Sequence, residues 1–348
     1  METLWFALVA FMLVMYVLLD GFDLGAGIIH LFAGKTEDER RLILNAIGPV
    51  WDGNEVWILA AGGTLCFAFP LVYASSFSGF YLPLIIVLWL LMMRGLGIEF
   101  RHQLHHPMWL RFWDGVFSIS SALLAIFLGA ALGNVVRGVP LNADGYFFEP
   151  LWTTFTIVPD PGILDWYTVI LGVVAFFTLT VHGASYVAAK TDGIVQQRSR
   201  SFALQAWWGV LLASGAGAIA TFAIKPELAR NFSSSPVGLV LPLVGIAGLA
   251  GVRFFLAREQ DLRALLSSGA FIVGMLGATA FALYPNLLPS STDPSLSLTI
   301  QKCAAQHYGL TVGLVWWVIG ILLASGYFVY VYRSFAGKVR LPLEGSGY

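Results

Sequence analysis

Residues 4–33 read LWFALVAFMLVMYVLLDGFDLGAGIIHLFA, an apolar run long enough to cross the ~30 Å hydrocarbon core of a bilayer as one helix. Only Met1-Glu2-Thr3 precedes it, with no basic residue, and the run outlasts the apolar core of a signal peptide. It is therefore read as a retained span. Working outward, comparable runs follow at 51–71, 77–99, 115–135, 165–189, 202–224, 237–257, 266–284 and 307–332. The fold expected is an all-α integral membrane protein of about nine transmembrane helices. Composition agrees: 58% of the 348 residues are hydrophobic and 11% charged, against roughly 25% charged in soluble domains.

The connecting segments alternate in basic content. Lys35, Arg40 and Arg41 follow the first run, Arg101 and Arg111 the third, Lys190, Arg198 and Arg200 the fifth, Arg258 and Arg263 the seventh, and Arg333, Lys338 and Arg340 the last. Since cytoplasmic loops carry the excess of Lys and Arg, nine spans place the N-terminus outside and the C-terminus in the cytoplasm. The longest outer segment, from Arg137 to about Asp160, is rich in aromatics and acids, as an interfacial stretch is. A net charge of −1 without any basic block gives nucleic acid nothing to bind.

The chemistry-bearing feature is a set of acids within apolar surroundings. Asp20 and Asp23 stand in Leu19-Asp20-Gly21-Phe22-Asp23-Leu24-Gly25-Ala26-Gly27, and Asp52 and Glu55 in Trp51-Asp52-Gly53-Asn54-Glu55-Val56-Trp57. Spacing of i,i+3 puts each pair on one helix face. An ionisable group at membrane depth costs at least ~2.5 kcal/mol, so such residues face the bundle interior and mark proton or ion paths. The assigned topology draws Asp23, Asp52 and Glu55 into the cytoplasmic half, where Glu99 joins them. The bland alternative is that Arg94 and Arg101 pair with these acids and pin the helices together.

Among the histidines, His30, His182 and His307 lie in or beside spans. His182 is the candidate haem ligand, set against the commoner role of a hydrogen-bonded packing residue. His102, His105 and His106 form an inner-surface group. Cys66 and Cys303 are too few and too far apart for a thiolate metal centre. No phosphate loop, nucleophile elbow or His-Glu-x-x-His motif appears. Gly25-Ala26-Gly27 faintly echoes Gly183-Ala184-Ser185, each followed by a Lys-Thr-acid sequence.

Asp20-Gly21-Phe22-Asp23-Leu24-Gly25, Trp51 to Trp57, Phe77-Ser78-Gly79-Phe80-Tyr81, His182-Gly183-Ala184-Ser185-Tyr186 and the loop from Tyr284-Pro285 to Asp293-Pro294 together resemble subunit II of the cytochrome bd-type quinol oxidases, over nearly the full chain. The resemblance implies one membrane domain made of two four-helix bundles, 1–135 and 165–284, with a peripheral helix at 307–333. It further implies a bacterial inner-membrane complex with a subunit I that holds two b-type haems, one d-type haem and the sites for quinol and dioxygen. This chain then holds no haem firmly and is not catalytic alone. Membrane lipids, a structural quinone and a small single-helix accessory subunit are compatible neighbours.

The resemblance carries the family's proton-channel carboxylates onto Asp52 and Glu99, and its first-helix acid onto Asp23; Glu55 and Asp20 lie beside them. Gln103 stands where the family has a lysine. Protons would then enter through His102, His105 or His106, or through subunit I. Two other readings stay open: a secondary transporter with membrane-embedded carboxylates, and a purely structural subunit.

Overall fold

The computed structural model describes residues 1–158 and 161–340; Asp160, at the close of the long outer segment, lies outside them. The chain forms α1 (Glu2–Ala33), α2 (Glu37–Ile47), α3 (Trp51–Ala68), α4 (Pro70–Gly79), α5 (Tyr81–Arg101) and α6 (Pro107–Arg137). There follow α7 (Trp166–Lys190), α8 (Gly193–Ile224), the short α9 (Arg230–Ser234), α10 (Val240–Leu256) and α11 (Asp261–Leu283). A small antiparallel pair, β1 (Asn286–Leu288) with β2 (Leu298–Thr299), leads through α12 (Ile300–Cys303) into α13 (His307–Ser334).

Among the described residues eight helices are long and apolar enough to cross a membrane: α1, α5, α6, α7, α8, the Pro236–Leu256 stretch containing α10, α11 and α13. The ninth expected span is α3, whose first turns hold Asp52, Asn54 and Glu55 and so dilute its hydropathy. It nevertheless runs antiparallel to the N-terminal part of α1, up to Asp23. Asn54 donates to the Leu19 carbonyl at one end, Thr64 approaches the Met12 sulfur in the middle, and Val9 and Ala68 share one cluster at the other.

The expected run 51–71 is broken. Phe69 leaves the helical region and Pro70 starts α4 as a separate helix, because a proline at the first helical position forfeits no hydrogen bond whereas one inside a helix does. Nor is the segment after α1 a plain loop. Thr36 accepts from the Glu39 amide while Glu39 accepts from the Thr36 amide, a reciprocal cap that starts α2.

Helices α1, α3, α5 and α6 make one bundle and α7, α8, α10 and α11 the other, with α13 peripheral along α3. None of the apolar window of α13 is buried. The bundles meet where α1 crosses α7. A Cβ on Gly25 would strike the Leu179 carbonyl and one on Gly183 would strike the backbone of Gly25 and Ala26; the two echoing small-residue motifs are therefore in mutual contact, as close helix approach requires. Phe22 stacks on Tyr186 beside this crossing, centroids 3.9 Å apart.

Several of the cations gather at one end. Arg198 binds Glu39 and the Ala33 carbonyl, Arg101 binds Glu37, and Lys338 binds Asp192, bringing the segments after α1, α5, α7 and α13 together as a basic end.

Candidate functional site

One acid of α1 and one of α3 meet an arginine from α5, Arg94. Its Nη1 donates to Asp20 Oδ1 at 2.6 Å and its Nη2 to Glu55 Oε2 at 2.7 Å. Arg94 and Asp20 are fully buried; the Glu55 side chain retains 23% exposure. The guanidinium also stands 6.0 Å from the Trp51 ring centroid. Spacing explains the meeting, because Asp20 faces α5 in the same turn that carries Tyr16, and Glu55 lies one turn inside α3.

Asp23, one turn beyond Asp20 and equally buried, has a different partner. Asn54 Nδ2 donates to Asp23 Oδ2 at 2.8 Å, and Asn54 Oδ1 accepts from the Tyr332 hydroxyl of α13 at 2.9 Å. Asp20 Oδ2, Asp23 Oδ1, Arg94 Nε and the Tyr16 hydroxyl are buried without a hydrogen-bond partner among the described residues. Polar atoms left in that condition at membrane depth are costly.

Asp52 and Glu99 are placed differently from the expectation. Both are exposed on this chain and neither is joined to the Asp20, Asp23, Glu55 and Arg94 group. Exposure nevertheless falls along α3 from Asp52 to Glu55 and across Arg94 to Asp20, so the carboxylates form a graded series from an outer face to the core. Arg101, the other arginine suspected of pairing with these acids, binds elsewhere.

Its partners form a second buried network that sequence reasoning missed. Asp114 Oδ1 lies 2.6 Å from both His30 Nε2 and Arg101 Nε; its Oδ2 accepts from Arg40 at 3.1 Å; Arg101 Nη2 reaches Glu37 at 2.8 Å. Four elements, α1, α2, α5 and α6, are tied at the basic end. Asp114 stands just ahead of the apolar run at 115–135, so its hydropathy gave no hint; the one cue was an acid with Arg111 close before it. At the far end Arg137 donates to Glu149 at 2.6 Å, to Asp165 and to Asn134. Asp165 meanwhile caps α7 through the amides of Tyr167 and Thr168. Burial pushes the Glu149 carboxyl up to about 7, against the pull of Arg137.

His182 has both ring nitrogens engaged, Nε2 donating to the Leu18 carbonyl at 2.8 Å and Nδ1 lying 2.7 Å from the Ser268 hydroxyl. An axial ligand needs one nitrogen free for iron, so His182 does not fit that role. His102 bonds the Ile98 carbonyl, while His105, His106 and His307 are exposed. Among the described residues no three His, Cys, Asp or Glu side chains converge as a metal site. Cys66 and Cys303 are both free thiols.

A sequence profile described as "Cytochrome bd terminal oxidase subunit II" matches residues 1–335. The "Cytochrome bd-I ubiquinol oxidase subunit 2" of Escherichia coli K12 is 30% identical over 92% of this chain and 89% of the relative. The "Cytochrome bd ubiquinol oxidase subunit 2" of Bacillus subtilis is 32% identical over 90% and 89%. A "Probable cytochrome oxidase subunit 2" of Haemophilus influenzae is 31% identical over 97% and 94%. In three dimensions a chain of the bd oxidase from Geobacillus thermodenitrificans superposes with a TM-score of 0.76 at 16% identity, over 96% of this chain and 98% of that one, a likeness of fold.

Proposed function

We propose, from the premise that this chain belongs to the cytochrome bd terminal oxidase subunit II family, that it supports the haem-bearing subunit I of a quinol:dioxygen oxidoreductase and supplies a proton path into it. Family membership makes it a subunit of a respiratory oxidase and a multi-pass protein of the bacterial inner membrane. In the finer reading the basic end faces the cytoplasm and the N-terminus the outside. The units 1–135, 165–284 and 307–333 act as one membrane domain. Subunit I covers one apolar flank of the chain, and lipids or a small single-helix accessory subunit cover others.

The observation that carries the reading is the graded series of carboxylates. Asp52 and Glu99 collect protons on an exposed face at the cytoplasmic side. Glu55, Arg94 and Asp20 continue inward, with the arginine holding two carboxylates at fixed spacing while a proton moves between acid and water. Haem in the partner subunit would supply electron transfer and dioxygen reduction. The residues of this chain hold and pass protons and keep the helix faces in register.

The test is quinol oxidase turnover per haem in Asp52→Asn and Glu99→Gln. Both positions are exposed, so the complex should assemble with its haems, and turnover should fall. Full turnover with intact haems in both variants removes the path.

A second reading is favoured by one observation: Arg94 pairs with Asp20 and Glu55 as a helix clamp would. If Asp20 is structural, Asp20→Asn lowers haem content and leaves turnover per remaining haem unchanged. A secondary transporter, by contrast, would move substrate in liposomes without subunit I.

A further inference from the structure

After α13 the chain turns back across the end of α7. Lys190 Nζ donates to the Phe335 and Gly337 carbonyls at 2.6 and 3.3 Å, and the Val339 amide donates to the Lys190 carbonyl at 2.8 Å. Lys338 Nζ then reaches the Thr191 carbonyl at 3.0 Å and Asp192 at 2.5 Å. Five hydrogen bonds thus hold residues 335–339 as a strap at the basic end.

Beneath the strap lies a cavity of about 280 Å³, walled by Ala46, Val50, Tyr186, Lys190, Tyr332 and Ser334, with Ala336 in its roof. Tyr186, Tyr332, Lys190 and Ser334 bring polar side chains to a lining that is otherwise largely apolar, and the volume is room for several waters. One wall residue, Tyr332, is tied towards the buried acids. Tyr332 donates to Asn54 and Asn54 to Asp23 Oδ2, while Asp23 Oδ1 is buried and unpartnered among the described residues.

Asp23 differs from its neighbours in one respect. Both terminal nitrogens of Arg94 are taken by Asp20 and Glu55, and among the described residues no cation pairs with Asp23. A carboxylate without counter-charge at that depth depends on protons or on adjoining water. The cavity is the adjoining water volume, two hydrogen bonds away. It opens on the α2, α7 and α13 side of the bundle, whereas Asp52 and Glu99 stand on exposed helix faces of α3 and α5.

We propose that this strapped cavity is a hydrated antechamber from which Asp23 takes and returns protons, a second mouth separate from the Asp52 and Glu99 face. Water passing from the cavity beyond Tyr332 to the unpartnered Asp23 Oδ1 is the carrier: a hydronium ion there gives its proton to the Asp23 carboxylate and is left as water, and the carboxylic acid passes the proton on towards Asp20. Tyr332 is a positioning residue, holding Asn54 so that the free Asp23 oxygen stays available. The proposal rests on the proton-path reading above.

The experiment uses the assembled oxidase in a Cys66→Ala background, since Cys66 is exposed. Ala336→Cys, on the exposed strap, is modified after assembly with a bulky trimethylammonium methanethiosulfonate, so folding is not at issue. Turnover per haem should fall severalfold on modification, more at pH 8.5 than at pH 6.5, because proton supply limits most where protons are scarce. Tyr332→Phe should show the same steepened pH profile with unchanged haem content. Unchanged turnover at both pH values in both proteins overturns the antechamber. Asp52→Asn measured alongside separates the two ideas. Loss there with modified Ala336→Cys intact sinks the antechamber and keeps the surface path, and loss only on modification keeps the antechamber and removes Asp52.

Discussion

Arg94 donates to Asp20 over 2.6 Å with both side chains wholly out of solvent, and this bond joins α1 to α5 across the middle of the first bundle. Because Glu55 occupies the other terminal nitrogen, the guanidinium is the joint of three helices.

Removing it leaves two carboxylates facing one another. Arg94→Met should therefore cost about 3–5 kcal/mol, the range for breaking a buried pair by deleting one partner. Haem content and yield of the purified complex should drop sharply. The double change with Asp20→Leu should recover part of the loss, since no lone charge remains at that point. Parent-like yield and melting temperature in the single variant would contradict the clamp.

The α1 and α7 crossing gives a second expectation. Gly25→Val and Gly183→Val each drive a side chain into backbone that cannot retreat, whereas Cβ atoms at Gly62 or Gly63 meet nothing within 4 Å. Melting of the detergent-solubilised complex should show large destabilisation in the first two variants and little in Gly62→Ala or Gly63→Ala. Equal effects at all four positions would mean that the crossing is not tight.

Much of this was legible in the residues. Apolar length located the spans, and the alternation of Lys and Arg anticipated an end rich in cations. Acids in apolar runs pointed to Asp20, Asp23 and Glu55, and the small-residue echo turned out to be the contact itself. Hydropathy averages over a window, however, so it merged α3 with the start of α4 despite Pro70. It also carries no information about partners distant in sequence. The Arg94 pairings span 74 and 39 residues and the bond between His30 and Asp114 spans 84; only packing reveals them. Nothing in the stretch Phe335-Ala336-Gly337-Lys338-Val339 announces that it returns over Lys190.

The Asp114 network yields a prediction of relative size. Asp114 accepts from Arg101 and Arg40 and contacts His30, so Asp114→Asn strips the negative charge from two arginines at once. His30→Gln forfeits one hydrogen bond, worth about 0.5–1.5 kcal/mol. Thermal unfolding should rank Asp114→Asn far below His30→Gln. A reversal of that order would show that Arg101 draws its stability from Glu37 instead.

Glu149 makes the outer segment sensitive to pH. The residue is 2% exposed and its side chain is bound to Arg137, which also serves Asp165. Burial raises its carboxyl from 4.5 to about 7, so the folded segment holds that proton more tightly than a free chain does. The sign follows: the contribution is whole below about pH 4.5, shrinks as pH rises, and is gone above about 7, amounting to roughly 3 kcal/mol. With Glu149 charged, Arg137 faces two carboxylates and one negative charge is left uncompensated. Amide protection factors across residues 139–152 should thus be higher at pH 5 than at pH 8. Glu149→Gln, which keeps an acceptor for Arg137 but cannot titrate, should make protection flat over that interval. The same pH dependence persisting in Glu149→Gln would assign the titration to another group.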